Sequence, residues 1–550
     1  MKSLDDEIHT TLAMLRRRIN IPQSPIYRLP SDVFSEVASH LRFQTADLVR
    51  FTHVSYRLRA ALLTYPRLWS YIDSDSNRGG ERAQAFLRRS RQTPLHLHVN
   101  QVGDRHPEFP LLPSQMARLV SLEICDCRSQ KEYMLSQPMP ALRRLEIVKA
   151  QGFHWGDGDA GGVEDSPLWS LTSLTSLIVR DVASIRLHAP RLTRLGFVHG
   201  EEEARIDPLL EFLDNCPLLE DLYVSYNSEP SSYRDRPVSL PNLRNYTQRT
   251  CGDRHSLRLF NTLSHLPARS VTLKRVTQPA IVTVADVIPP FRNPDCLDDI
   301  TRVKLKERCL TNDFGITGTL ELIGAKGVKV SSERTVCRSS GEYVTYDESN
   351  LAHMGCLRDL DTRAVEIICL EGYRLWDDQG QFVVDDVRKM LGRLPSLTTL
   401  ILSLTTVEPC LLVLDIDPDA ESRLRYSPSV HTLVIHSGFY RGVWPDKLHT
   451  LLTVARRRKA AGTPFNSVSL FLLEDPLFRS GDPRSRRILD QLRACVGEFE
   501  VTVGDDVLGW DVDRYFLAGL DHLRDRRDVW WGQVDDGLSR VGGRDTDLGW

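Results

Sequence analysis

Pro140-Ala-Leu-Arg-Arg-Leu-Glu-Ile147 is the stretch on which the fold turns, because the chain repeats it. Leu119-Val-Ser-Leu-Glu-Ile124, Leu174-Thr-Ser-Leu-Ile-Val179, Leu192-Thr-Arg-Leu-Gly-Phe197 and Leu219-Glu-Asp-Leu-Tyr-Val224 keep its rhythm. So do Leu397-Thr-Thr-Leu-Ile-Leu402, Val430-His-Thr-Leu-Val-Ile435 and Val468-Ser-Leu-Phe-Leu472. Pro140, Pro190, Pro217, Pro241 and Pro395 each stand two residues ahead of a leucine. The alternating end of each stretch has the period of a strand, as has Leu95-His-Leu-His-Val99. Helical stretches lie between strands, at 206–216, 383–394 and 447–460. Strand then helix, repeated, stacks into an α/β solenoid with a parallel sheet on its concave side.

The P-x-L-x-x-L-x-L pattern resembles leucine-rich repeats in a degenerate form. The units are spaced irregularly, at roughly 18 to 37 residues, and the asparagine of a regular repeat is mostly absent. The resemblance implies a horseshoe over residues 93–504, preceded by a linking helix at 79–92 that carries Ala83, Phe86 and Leu87 on one face. The rhythm fades over 280–360, where 315–349 reads as strands and turns of an insertion. The tail, 505–550, holds Trp510, Trp530, Trp531 and Trp550 and is expected to be partly disordered.

The phase of the repeat sorts its side chains. Leu145, Ile147, Leu177, Val179, Leu195, Leu222, Val224, Leu400, Leu402, Leu433, Ile435, Leu470 and Leu472 are expected in the core. The residues between and just after them then face the concave surface, because strand side chains alternate. Those are Glu146, Val148, Ile178, Arg180, Tyr223, Ser225, Ile401, Ser403, Val434, His436, Phe471 and Leu473. Ile178, Arg180, Tyr223, Ile401, Val434, His436 and Phe471 form the candidate target surface. Its reading is an exposed apolar patch anchored by Tyr223 and Phe471; the alternative is that a loop or the Trp-rich tail covers it.

Two helical segments precede the array. Leu4, Ile8, Leu12, Leu15 and Ile19 make one stripe on a helix within 1–20. It is short for a stable coiled coil, so it is expected to pack on its own protein. Residues 26–72 read as three helices. Pro30 suits a first turn, with Ser31 and Asp32 at the same end and Val33, Phe34, Val37 and Leu41 along one face. Thr45 caps a second helix with Leu48, Val49 and Phe51. A third runs through Val54, Leu58, Ala61 and Leu62, and Tyr65-Pro-Arg-Leu-Trp69-Ser-Tyr-Ile72 closes the module. A module of under ~50 residues cannot bury so many apolar side chains alone. Leu29, Pro30, Val33, Phe34, Val37, Leu41, Leu48 and Val49 are therefore the candidate docking residues.

Leu29-Pro30, the apolar helix after it, Leu48-Val49, the step from Val54 to Arg57 and the closing Leu68-Trp69 resemble an F-box. The flavour is that of the many F-box proteins of mushroom-forming fungi. Asp32, Ser55 and Leu58 depart from the family, which often has Glu, Cys and Trp there. The resemblance implies docking on an SKP-type adaptor and, through it, on the cullin core of an SCF ubiquitin ligase. The array would recruit a protein substrate, of unknown identity, and the chain would be non-catalytic. The alternative is a leucine-rich-repeat scaffold outside any ligase.

Composition is compatible with both. Lys and Arg number 70 against 73 Asp and Glu, a net charge of −3, which argues against a nucleic-acid partner. The 11 cysteines are odd in number and form no CxxC pair, which suits reduced thiols in an intracellular protein. Asp5, Asp6 and Glu7 stand where a signal peptide needs positive charge, and no run reaches the ~18 apolar residues of a membrane span. The expected location is cytoplasmic or nuclear, with no membrane partner. Gly156-x-Gly158-x-x-Gly161 carries Asp157 and Asp159, which repel a phosphate. That loop and Asp415-x-Asp417-x-Asp419 both lack ligands of a calcium loop. Cys125-x-Cys127 has no second pair at zinc spacing. Arg456 to Lys459 reads as cations at a helix end ahead of a nuclear signal. No catalytic, cofactor or metal residue is expected.

Overall fold

Each repeat opens on the same turn. The Leu142 N–H donates to the Met139 carbonyl at 3.1 Å, and Leu192, Leu219, Leu243 and Leu397 make the same bond to Ala189, Cys216, Leu240 and Leu394. Proline falls at the second position of all five turns, where its fixed φ is already correct and no N–H is needed. The next residue reaches back one repeat: the Arg143 N–H donates to Val120 O (2.9 Å), Arg244 to Glu220 O (2.7 Å) and Thr398 to Glu366 O (2.9 Å). The strand then starts two residues after the turn leucine. The P-x-L motif is thus a turn plus a stitch to the neighbouring coil.

The computed structural model describes residues 7–16, 29–40, 45–73, 79–100, 111–125, 134–148, 169–180, 187–199, 207–226, 238–251, 263–264, 270–277, 299–309, 315–325, 327–337, 362–371, 384–415, 429–436, 444–472 and 483–503. It is a mixed α/β protein of two units, Met1–Leu192 and Thr193–Trp550. The sheet of each unit is parallel or mostly so. Among the described residues no helix is long and apolar enough to cross a membrane.

The first unit starts with a helix over 7–16 (α1), followed by α2 (Ser31–Ser39), α3 (Thr45–Val54), α4 (Tyr56–Leu63) and a 3-10 turn, Pro66–Trp69. β1 (Tyr71–Asp73), α5 (Gly79–Arg89), β2 (Leu95–Asn100), α6 (Pro113–Met116), β3 (Leu119–Cys125) and β4 (Arg144–Val148) come next. β5 (Trp169–Ser170), β6 (Ser176–Arg180) and β7 (Leu187–His188) complete it. β1, β2, β3, β4 and β6 pair in that order, all parallel, and β5 pairs with β7. Ser55 caps α4 by accepting from the Leu58 N–H at 3.1 Å. Phe34, Ala38, Leu48, Leu58, Leu62, Leu68 and Trp69 are the buried apolar side chains of α2, α3, α4 and the 3-10 turn. β1 begins two residues after Trp69, and the helices lie in the same unit as the first ladder.

α1 departs from expectation. Ile8, Leu12 and Leu15 are exposed, as is every residue of 7–16, so the expected packing against the protein's own body is not made. Three side chains on three turns bury little area against the entropy of ordering the helix. Leu4 and Ile19 lie outside the described residues.

The second unit runs β8 (Arg194–His199), α7 (Asp207–Asp214), β9 (Asp221–Tyr226), β10 (Val238–Ser239), β11 (Asn245–Cys251), β12 (Leu263–Ser264) and β13 (Ser270–Thr277). Three long strands follow: β14 (Ile300–Cys309), β15 (Gly315–Gly324) and β16 (Lys329–Cys337). Then come β17 (Ile367–Glu371), α8 (Val384–Leu391), β18 (Thr399–Ser403), α9 (Leu404–Leu414), β19 (Thr432–His436), α10 (Trp444–Ala460), β20 (Ser467–Leu472), α11 (Pro483–Cys495) and β21 (Glu498–Val503). β8, β9, β11 and β13 are parallel neighbours, and so are β14, β17, β18, β19, β20 and β21. β13 joins the two sets through β16, because β14, β15 and β16 form an antiparallel meander. This excursion is where the leucine rhythm fades in 280–360.

The repeat phase fixes the core. Every expected inward side chain from Leu145 to Leu470 is at most 1% exposed; the side chain of Leu472 lies outside the described residues. The basic run of α10 is held within the fold. Arg456 donates to Gln491 Oε1 (2.8 Å), Arg457 pairs with Asp415 (2.5 Å) and Lys459 donates to Ala494 O (2.6 Å). Arg458 is buried over the Phe465 ring and donates to Val430 O (2.7 Å) and Thr463 O (3.1 Å). Its burial brings the guanidinium pKa down to about 10. Arg458→Met leaves both carbonyls without this donor and is expected to lower stability by about 2–3 kcal/mol. The reading is a lower urea midpoint at unchanged slope.

Candidate functional site

The exposed apolar row of the first unit comes from one helix. Pro30 supplies the first carbonyl of α2, accepting from the Phe34 N–H at 2.9 Å. Val33 and Val37 are four apart on α2, so they share one side, and Leu29 stands just ahead of the helix. Leu29, Val33 and Val37 are 39%, 42% and 46% exposed, and Pro30 is exposed with them. Val49 is half-buried. Phe34 and Leu48 correct the expectation: they belong to the module's own core, at 5% and 0% exposure. Phe34 lies about 100° round the helix from Val33 and stacks on Phe51, with ring centroids 6.1 Å apart. Leu41 lies outside the described residues.

The candidate target surface is corrected more deeply. Ile178, Arg180, Tyr223, Ile401, Val434 and Phe471 are all buried, and His436 is half-buried. Of the wider set, Glu146 and Ser225 are buried and Val148 and Ser403 half-buried; Leu473 lies outside the described residues. No exposed apolar patch stands at these positions. The reason was in the sequence: Leu-Ile-Val, Leu-Tyr-Val, Leu-Ile-Leu and Leu-Val-Ile are continuous apolar runs. Parallel strands covered on both faces read that way, whereas a half-solvated strand alternates.

At the same strand phase the first unit carries polar side chains. The parallel register sets Asp73, His98, Glu123 and Glu146 side by side on β1, β2, β3 and β4. Asp73 Oδ1 lies 3.0 Å from His98 Nδ1, and His98 Nε2 lies 3.4 Å from Glu123 Oε1. Cys125, two residues along β3, brings its Sγ to 3.6 Å from His98 Nε2 and 3.9 Å from Glu123 Oε1. Glu146 receives Arg144 at 3.2 Å on one oxygen and Arg180 at 3.3 Å on the other. His98, Glu123 and Cys125 each offer a donor atom within 4.8 Å of the other two.

The electrostatics follow from crowding and partial burial. Burial pulls the His98 imidazole toward neutrality, but hydrogen bonds to Asp73 and Cys125 and the Glu123 charge outweigh it and lift its pKa to about 10. Burial, with Glu146 beside it, raises Glu123, and burial raises the Cys125 thiol. Tyr71, on β1, is pushed up to about 12 by burial and by Glu123.

Sequence reasoning missed this cluster. The local Cys125-x-Cys127 pair points away from it, and Cys127 lies outside the described residues, as does the glycine-rich stretch at 156–161. The signal was the polar alternate positions of Leu95-His-Leu-His-Val99 and Leu122-Glu-Ile-Cys125. No protein-family model matches the chain, and no curated protein matches it.

Proposed function

We propose that the chain is a substrate-receptor subunit of an SCF-type ubiquitin ligase. In this reading residues 26–72 are an F-box that docks an SKP-type adaptor and, through it, the cullin core. The parallel ladders of the two units are, in this reading, a degenerate leucine-rich-repeat array that recruits a target protein. The observation that carries the reading is the exposed row of Leu29, Pro30, Val33 and Val37 on a short helical module. Adaptor docking buries such a row, and a soluble module rarely leaves one open without a partner. The chain then acts by proximity, holding a target lysine near the charged ubiquitin enzyme, in cytoplasm or nucleus. The alternative, a non-ligase scaffold, draws on the continuity of helices and ladder through Trp69, which makes the helices a cap on the first unit.

Adaptor capture by the intact chain separates the two. Val33→Asp with Val37→Asp changes exposed side chains and leaves the buried ones in place. It is expected to reduce adaptor capture about 30-fold or more, as for a central interface anchor. A thermal midpoint within 2 °C of the parent, roughly what an exposed substitution allows, shows that the module is intact. Equal capture by both proteins, or none by the parent, moves the function to the scaffold.

A further inference from the structure

We propose that His98, Glu123 and Cys125 form a zinc site on the sheet face of the first unit. This is independent of the ligase reading. Zinc bonds of about 2.3 Å to sulfur and about 2.0–2.2 Å to nitrogen or oxygen, at tetrahedral angles, need donor atoms roughly 3.3–3.7 Å apart. The three separations here are 3.4 Å (nitrogen to oxygen), 3.6 Å (nitrogen to sulfur) and 3.9 Å (oxygen to sulfur). An ion seats among them with small side-chain adjustments.

The surroundings supply what a histidine ligand requires. The hydrogen bond from His98 Nδ1 to Asp73 turns Nε2 toward Cys125 and Glu123. A carboxylate behind the imidazole fixes the ring and raises its basicity as a ligand. The donors sit on β2 and β3, which are paired, with His98 directly opposite Glu123. The ladder holds the three positions rigidly, as a binding site needs.

The donor set selects the ion. A thiolate with an imidazole disfavours magnesium and calcium, which take oxygen, and suits zinc. Three protein ligands leave the fourth position to a water or to an anionic group of a ligand, an arrangement that closed structural sites lack. Of the neighbouring carboxylates, Glu146 is held by Arg144 and Arg180, and Asp73 by His98 Nδ1. The side chains of His98 and Glu123 are 19% and 36% exposed, which leaves a way in.

The test uses the intact chain, stripped with a chelator and titrated with Co²⁺ and then Zn²⁺. One equivalent of Co²⁺ is expected to bind with a thiolate-to-cobalt charge-transfer band and intense tetrahedral d–d bands. One equivalent of Zn²⁺ should remove both. Cys125→Ser should abolish the charge-transfer band. Glu123→Gln should weaken Zn²⁺ binding at least tenfold, and Asp73→Asn should keep the band while weakening binding about 10- to 100-fold. Glu123 is more exposed than His98 and its substitution is isosteric, so Glu123→Gln carries the test where Cys125→Ser fails to fold. The absence of a cobalt band in the parent overturns the site, leaving a hydrogen-bonded trio. A band that persists in Cys125→Ser, or unchanged affinity in Glu123→Gln, places the ion elsewhere and overturns it equally.

Discussion

Tyr223→Ala is expected to destabilise the second unit by about 3–5 kcal/mol, the range for truncating a fully buried aromatic side chain. Tyr223 is 1% exposed at the middle of β9, a strand buried at all six positions. Its register neighbours are Gly196 on β8 and Thr247 on β11. Gly196 has no side chain with which to fill the space of a lost ring, so the cavity stays open and the full penalty applies. Tyr223→Phe keeps the ring and isolates the hydroxyl, whose loss is expected to lower stability by about 1 kcal/mol. Tyr56→Ala, at a 74% exposed position, should shift stability by less than about 0.5 kcal/mol. Urea denaturation of the three proteins reads the contrast as midpoints. A Tyr223→Ala midpoint equal to that of Tyr56→Ala would mean that the ring stands in solvent, and the apolar target surface would return.

Tyr223 also marks the line between what was legible and what was not. Turn and strand are local. A proline at the second turn position and a leucine at the fourth specify the bond from Leu219 N–H to Cys216 O with no help from elsewhere. The inward phase is local too, since Leu222 and Val224 lie two apart on one side of β9. Coverage of the opposite side is decided by segments far along the chain. Strand alternation alone sets Tyr223 and Ile401 outward, opposite the inward leucines. The continuous apolar runs around them carried the opposite message, two-sided burial.

The polar cluster was hidden for a related reason. Asp73, His98, Glu123 and Glu146 are 25, 25 and 23 residues apart, so no local motif contains them. The length of the repeat itself sets the spacing, and the parallel register converts it into contact. In a parallel sheet, such a set is found by aligning the strands and reading across the register. In the helical module the limit was angular. Val33 and Phe34 look equivalent as apolar neighbours, yet about 100° of rotation puts one in solvent and the other in the core.

The other large effect is expected at Trp69. Its side chain is fully buried, its indole N–H donates to Leu62 O at 3.0 Å, and its ring meets the edge of Phe86 at 4.9 Å. The Arg89 guanidinium lies 4.5 Å from the ring centroid. One side chain thus joins the last turn of α4 to α5, and β1 starts two residues on. Trp69→Ala removes the ring that fills this junction and leaves the Leu62 carbonyl without its indole donor. The expected loss is about 3–5 kcal/mol. Trp69→Phe restores most of the packing and should recover about half of it. Hydrogen exchange gives the sharper reading, because loss of the junction lowers protection in whatever it held. Amides of α4 and α5 should lose protection together in Trp69→Ala, while those of β18, β19 and β20 in the other unit keep theirs. If α4 loosens while α5 keeps its protection, Trp69 is not the tie. The helices would then be anchored through Phe34 and Leu48, whose own truncations should reproduce the loss.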